Sequence, residues 1–319
     1  MNVELEDQPC PNDCRRDDET LFIARDRLHG LPGDFPVVRC RTCGLIRTNP
    51  RPTPATMGFY YPDDYGPYVA TQPRSSAIVK QSPYLRPLHA AYRRLVRFRS
   101  TALPELPPGR MLEIGCASGA FMNEMSARGW QVEGVEFSPT AAAAARAAGH
   151  KVHTGALESA PDPEESFDLI VGWMVLEHLH DPLGALKRLG SWARPGAWLA
   201  LSVPNAAAAE FRRFKSAGFA LHVPNHLYHF TPETLAALLA RSGWRVERIL
   251  HQRVLTSLWG GIGNALENRA APRMLTHLFK HRLVNSTAAN IALYPLAALV
   301  AAFGETGRMT VWARRVDDR

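Results

Sequence analysis

The pattern that most limits what this chain can fold into begins at Met111. MLEIG (111–115) is a short apolar strand with an acid at its centre. CASGAF (116–121) is a glycine turn, and FMNEMSARG (121–129) has the composition of a helix. WQVEGVEF (130–137) is a second strand, with Glu136 near its end. SPTAAAAARAAG (138–149) is a second helix, N-capped by Ser138 with Pro139 in its first position. KVHTG (151–155) is a third strand. FDLIVGWMV (167–175) is a fourth, apolar through most of its length as a buried parallel strand should be. DPLGALKRLGSWARPG (181–196) is a helix closing in a Pro-Gly turn, and AWLALSVPN (197–205) is a fifth strand. This alternation predicts an α/β fold with a doubly wound, Rossmann-like sheet.

Ligands of such sheets bind beyond the carboxyl ends of the strands. Glu113, Gly115, Gly119 and Glu136 fall there. A dinucleotide needs G-x-G-x-x-G so that backbone amides can cradle a pyrophosphate. Here the run is Gly115-Cys-Ala-Ser-Gly119, with Ala117 in the place of the middle glycine. Glu113 would also face the pyrophosphate unfavourably. A cationic cofactor without phosphate fits better: Glu113 lies near its ammonium group, and Glu136 accepts hydrogen bonds from a ribose diol.

Residues 110–250 resemble the class I S-adenosylmethionine-dependent methyltransferases, through LEIGCASGAF, GVEFSP, FDLIVGWMVLEHLHDP and the Pro-Gly turn before the fifth strand. The resemblance implies that Glu113, Gly115, Cys116 and Gly119 surround the methionine part. It places Glu136 on the ribose and Phe137 near the adenine. Ala156 and Leu157 would contact the adenine, and Trp173 and Met174 would line the sulfonium. The family usually carries glycine where this chain has Ala117, because the backbone passes close to the cofactor. LEHLHDP is also similar to the ubiquinone-biosynthesis O-methyltransferases. In some relatives an acid three residues before the Glu-His pair makes Glu-x-x-Glu-His, a divalent-metal site. Here that position is Met174, so Glu177 and His178 are expected instead to order the helix after the fourth strand.

Four of the five cysteines precede residue 44. Cys10 and Cys14 bracket three residues, and Cys40 and Cys43 form CRTC before Gly44. Two such pairs make a tetrahedral four-cysteine site for structural zinc. Reduced buried cysteines without metal are the alternative. CRTCGLIRTNPRP followed by FYYPDDY resembles the zinc-ribbon-bearing methyltransferases of sugar, polysaccharide and natural-product pathways. The expected organisation is a zinc-ribbon-like module over 1–48, a connector and basic helix over 49–103, and a methyltransferase domain over 104–319 with a helical insertion at 251–305. Prolines 50, 52, 54, 62, 67 and 73 forbid a long helix in the connector. Phe59, Tyr60, Tyr61, Tyr65 and Tyr68 suit a strap packed across the next domain. Residues 84–103 read as an amphipathic helix. Lys80 to Arg99 holds six basic residues and no acid, a solvated face or an anion surface.

The acceptor side is read from HVPNHLYHFTPETLAALLARSGW. A helix starts at Thr231 and ends at Gly243, before a sixth strand, WRVERIL (244–250). Methylating a hydroxyl or an enolisable carbon benefits from a general base, and histidine suits that near neutral pH. His226 or His229 is expected to serve, with Tyr228 orienting the acceptor; capping or packing at the helix start is the alternative. The insertion precedes a last strand, RMTVWARR (308–315). A lid, a dimer surface, peripheral membrane contact and plain core packing are all open to it, core packing first.

Apolar residues at 46% and charged residues at 21% exclude a disordered chain. The opening residues lack a secretory signal, and IALYPLAALVAAF (291–303) falls short of the roughly 20 residues that span a bilayer. A cytoplasmic enzyme is expected, acting on O or C of a sugar, glycan or small metabolite, lipid-linked acceptors included. Lys plus Arg at 37 against Asp plus Glu at 30 gives +7, mildly basic. An RNA methyltransferase that uses the cysteine module is a second reading. Nucleic acid is the less favoured partner, because strand four ends in GWMVLEH rather than the Asn-Pro-Pro-Tyr run of base-amino methylation. A non-catalytic cofactor-binding scaffold is the third.

Overall fold

The computed structural model describes residues 3–62 and 103–316. The expected helix over 84–103 lies, except for Leu103, outside the described residues, as do Tyr65 and Tyr68.

Alternating apolar side chains build a small sheet first. β1 (Leu5–Glu6) pairs antiparallel with β5 (Arg51–Pro52). β2 (Asp18–Ala24), β3 (Phe35–Cys40) and β4 (Ile46–Thr48) form an antiparallel meander. Phe35, Val37 and Ile46 are buried inside it. A 3₁₀ turn over Met57–Tyr60 follows, with Met57 and Tyr60 buried.

The main body alternates strand and helix as the sequence dictates. β6 (Arg110–Ile114) leads to α1 (Ala120–Ser126), and β7 (Gln131–Glu136) to α2 (Pro139–Ala147). Ser138 caps α2 by accepting the Ala141 N–H, with Pro139 behind it. β8 (Lys151–Thr154) is one edge strand of the sheet, and β9 (Phe167–Trp173) runs through the middle. Leu169, Ile170 and Val171 of β9 are wholly buried, as a strand covered on both faces requires. α3 (Pro182–Trp192) leads into β10 (Ala193–Pro204). The expected Pro-Gly turn is a bulge inside β10, where the register against β9 shifts between Ala193 and Trp198.

α4 (Ala209–Phe214), a short β11 (Tyr228–His229) and α5 (Pro232–Arg241) complete the site side. α5 opens with a capping box between Thr231 and Thr234. β12 (Trp244–His251) and β13 (Arg308–Arg315) finish the sheet, whose order is β12-β13-β10-β9-β6-β7-β8. β6 to β10 are parallel, and β13 is inserted antiparallel between β10 and β12. Between β12 and β13 the insertion is helical: α6 (Thr256–Asn268), α7 (Arg273–His277), a π-helical turn over Leu278–Leu283, α8 (Thr287–Ala292) and α9 (Tyr294–Ala302). Among the described residues no helix is long and apolar enough to cross a membrane.

The small sheet is not hung on a tether. β11, which lies just ahead of α5, pairs with β4, placing Tyr228 opposite Arg47 and His229 opposite Ile46. The Thr48 backbone N–H donates to the Leu227 carbonyl at 2.9 Å. Cys10, Cys40, Leu45 and Met57 share one continuous core with Leu227, Phe230 and Leu235. The position 48/49, where the sequence suggested a boundary, lies within this shared packing.

Candidate active site

The turn after β6 carries the first part of the site. Gly115 has φ +65°, and a Cβ there would stand 2.5 Å from Val175 Cγ2, so the position needs glycine. Ala117 also takes the left-handed region, φ +48°, where a methyl side chain is strained. Gly119 precedes α1 with φ +80°.

Two buried carboxylates face this turn. Glu136, at the end of β7, accepts the Ala117 N–H at 2.8 Å through Oε2 and the Ser138 N–H at 2.8 Å through Oε1. Each oxygen keeps a lone pair for a further donor. Glu113, on β6, is buried, and its Oε2 has no hydrogen-bond partner among the described residues. Burial, and then the charge of Glu136, push its carboxyl well above the usual range. A buried carboxylate with an orphan oxygen is costly unless a donor or a cation completes it. The ammonium group of S-adenosylmethionine is such a cation, so the residues present fit that cofactor.

The other expected contacts border the same edge. Cys116 is buried, packed against Met122, Ala142 and Ala145. Phe137 follows Glu136 and is 63% exposed, open to a stacked base. The Gly155 N–H donates to the Glu136 carbonyl, which brings Ala156 and the buried Leu157 beside β7. Trp173 ends β9 in edge contact with Phe121, and its indole N–H has no partner among the described residues. Met174 takes φ +60°, and its N–H donates to the Ser202 carbonyl. Glu113, Gly115, Cys116, Gly119, Glu136, Phe137, Ala156, Leu157, Trp173 and Met174 therefore gather on the carboxyl edges of β6 to β9.

The residues expected to serve the acceptor are divided among different duties. Tyr228 is buried, with its hydroxyl held by Arg51 Nη1 at 3.0 Å and donating to the His180 carbonyl at 3.2 Å. It braces the seam between the small sheet and the loop after β9 rather than presenting its hydroxyl to an acceptor. His229 is buried, its Nε2 3.2 Å from Thr48 Oγ1. It also lines a narrow cavity with Asn205, Glu210, Phe211, Phe219 and Ser257. His226 is buried, with Nδ1 donating to the Ala220 carbonyl at 2.9 Å. Its ring meets that of His178 edge to face at 4.7 Å. Burial holds both His226 and His229 neutral, His229 down at about 3.

Sequence reasoning missed three participants. Arg51, 4% exposed, ties Glu6, Tyr228 and the His180 carbonyl together. Tyr61 places its hydroxyl 2.9 Å from His178 Nδ1. Glu210 faces Ser257 in the cavity, and burial pushes its carboxyl up to about 7. Tyr61 belongs to the aromatic run expected to pack across the next domain, but its partner is not local, and nothing local distinguishes Arg51 or Glu210; only the fold brings their partners to them.

The four N-terminal cysteines converge. One sulfur from each of Cys10, Cys14, Cys40 and Cys43 lies within 4.8 Å of the others, and Cys10 Sγ is 3.4 Å from Cys43 Sγ. A tetrahedral zinc with Zn–S near 2.3 Å holds its sulfurs about 3.8 Å apart, so the set fits that ion.

The pattern of the family described as "Methyltransferase domain" matches residues 84–249, just over half of the chain. The chain belongs to the methyltransferase domain family. This methyltransferase is 28% identical over 179 residues to the ubiquinone biosynthesis O-methyltransferase of Xanthomonas euvesicatoria pv. vesicatoria, covering 51% of this chain and 74% of that protein. It is 31% identical over 130 residues to the protein of the same description from Aromatoleum aromaticum, covering 39% and 53%. An S-adenosylmethionine-dependent methyltransferase structure from Mesorhizobium loti covers 72% of this chain and 97% of that one, at 18% identity and a TM-score of 0.45. The methyltransferase uses S-adenosylmethionine.

Proposed function

We propose that this methyltransferase moves a methyl group from S-adenosylmethionine to an oxygen or carbon of a sugar, glycan or related small metabolite. The observation that carries the reading is the pair of buried carboxylates, Glu113 and Glu136, around the strained turn at Ala117. Bound there, S-adenosylmethionine supplies its methyl group as an electrophilic sulfonium. Glu113 holds the ammonium, Glu136 the ribose diol, and Phe137 covers the adenine. Trp173 and Met174, at the end of β9, line the transfer zone and exclude water from it.

The acceptor enters from the side of β10 and α4. His229 is the better supported base, because it lines the cavity there, and Thr48 fixes its ring through Nε2. Burial keeps its imidazole neutral and resists full protonation, so its part is to accept a hydrogen bond from the acceptor's hydroxyl or acidic carbon as the new bond to methyl forms, with the released proton passing on to solvent. The cysteine set binds a structural zinc that fixes the small sheet, and through β11 that sheet steadies His229. The insertion bears the exposed apolar side chains Met274, Leu299 and Phe303, which suits an acceptor carried on a lipid.

The test is turnover of labelled S-adenosylmethionine against a panel of sugar, glycan and phenolic acceptors. Activity on one class, abolished in His229→Ala with cofactor binding intact, supports the reading. Turnover that survives His229→Ala removes the base from it.

A further inference from the structure

Glu210 stands near the start of α4, yet its carboxyl is turned away from solvent. Its Oε1 is buried and has no hydrogen-bond partner among the described residues. The side chain lies against Gly307, the residue ahead of β13, where a Cβ would collide with Glu210 Oε1. The Gly307 carbonyl accepts the Asn205 N–H at 3.0 Å, which ties the end of β10 to the start of β13 beside the carboxyl.

The cavity that Glu210 lines begins where the methyl-transfer zone ends. Its walls include Pro204 and Asn205, at the close of β10. Two residues before Pro204, the Ser202 carbonyl accepts the Met174 N–H at 2.9 Å. Of the side chains that line the cavity, Glu210 and His229 are the two that titrate. Burial drives them in opposite directions. It holds His229 down at about 3, so the ring can receive a hydrogen bond but does not keep a proton. It lifts Glu210 to about 7, where a carboxylate both takes and returns a proton near neutral pH. Two neighbours pull Glu210 back toward its charged form: the Ser257 hydroxyl, from α6, and Arg308, at the start of β13. Arg308 in turn feels Glu177, in the turn after β9, as well as Glu210.

We infer that Glu210 receives the proton that an acceptor hydroxyl releases during methyl transfer, His229 having oriented that hydroxyl. The inference rests on the methyl-transfer reading and narrows it to oxygen. A hydroxyl hydrogen turns about its C–O bond, so it can rest on His229 before transfer and face Glu210 during it; a hydrogen on carbon cannot. The acceptor oxygen bonds to methyl as the methyl–sulfur bond breaks, and that electron pair stays on sulfur. The O–H bond breaks, its electron pair stays on oxygen, and its proton moves to the Glu210 carboxylate. The carboxylic acid then returns the proton to solvent.

The test is turnover of methyl-labelled S-adenosylmethionine as a function of pH, on the hydroxyl acceptor that wild type methylates from the sugar, glycan and phenolic panel. Wild-type kcat is expected to fall about tenfold per pH unit below about 7. Glu210→Gln is expected to lose about 100-fold or more in kcat and to flatten that limb, with S-adenosylhomocysteine affinity unchanged. Ser257→Ala removes a group that favours the charged carboxyl, so the same limb is expected to move to higher pH, a shift that a merely structural Glu210 would not show. This second variant decides the matter if Glu210→Gln does not fold. Wild-type turnover in folded Glu210→Gln, or an unmoved limb in Ser257→Ala, would overturn the inference and leave the methyl-transfer reading standing. No turnover by wild type on any acceptor would remove that reading, and the inference with it.

Discussion

Ala117 and Glu136, which lie on different turns of the sheet edge, are joined by a 2.8 Å hydrogen bond from the Ala117 N–H to Glu136 Oε2. The carboxylate thereby fixes the loop that must approach the cofactor most closely. Its other oxygen, on the Ser138 N–H, fixes the entry to α2. One side chain sets the spacing between the two halves of the cofactor site.

Ala117 holds a left-handed conformation that costs an alanine about 1–2 kcal/mol. Ala117→Gly removes that strain and gives back roughly 0.5–1 kcal/mol to the freer unfolded chain. The variant is expected to match wild type or gain up to about 1 kcal/mol in denaturant unfolding. Ala117→Val, with a branched Cβ at positive φ, is expected to lose stability. A clear loss in the glycine variant would contradict the assigned backbone.

Tyr228→Phe removes a hydroxyl that bridges Arg51 and the His180 carbonyl. It is expected to cost about 1 kcal/mol in thermal unfolding while turnover stays close to wild type. Arg51→Met strips the buried partner from Glu6 and Tyr228, and is expected to cost about 3 kcal/mol. Lost turnover at unchanged stability in Tyr228→Phe would return the hydroxyl to the acceptor.

The sheet was legible because its signals are local. Apolar runs, the glycine turn at Gly115, the Ser138 cap and the Thr231 start each act within a few residues. The seam was not legible. That β11 would join the cysteine-bearing sheet rests on pairings between positions near 47 and near 228, which no periodicity announces. Tyr228 looked like an acceptor contact because it lies between two histidines; its actual partner, Arg51, is far away in sequence. The expectation for Glu177 and His178, that they order the helix after the fourth strand, leaves out His226, whose ring reaches His178 only through the fold.

Glu210 gives a pH signature. Its carboxyl is held up at about 7 in the folded chain by burial, against the ordinary 4.5 when unfolded. Between those values the folded state keeps a proton that the unfolded state has lost. Its contribution therefore falls as pH rises from about 4.5 to 7, by on the order of 3 kcal/mol, and is flat above that. Glu210→Gln is expected to remove this slope and to be more stable than wild type at pH 8. A steeper loss of stability in the variant across that window would contradict the burial argument.

Cys40→Ser is expected to lower bound zinc and to reduce the thermal midpoint, since a four-cysteine zinc stabilises a small unit by several kcal/mol or more. Because β11 pairs with β4, proteolytic cleavage near residues 225–230 should rise with it. Cleavage confined to residues before 48 would mean that the small sheet opens on its own.

The central claim is that Glu113 is the anchor for the cofactor's ammonium group, and calorimetric titration with S-adenosylhomocysteine tests it most directly. Glu113→Gln keeps the side chain's shape and removes an unpaired buried acid. Wild type is predicted to bind in the micromolar range. Glu113→Gln is predicted to bind at least about tenfold more weakly, roughly 1.4 kcal/mol, while unfolding at a higher temperature without ligand. Equal affinity in the two proteins, or no binding by wild type up to millimolar ligand, would contradict the account.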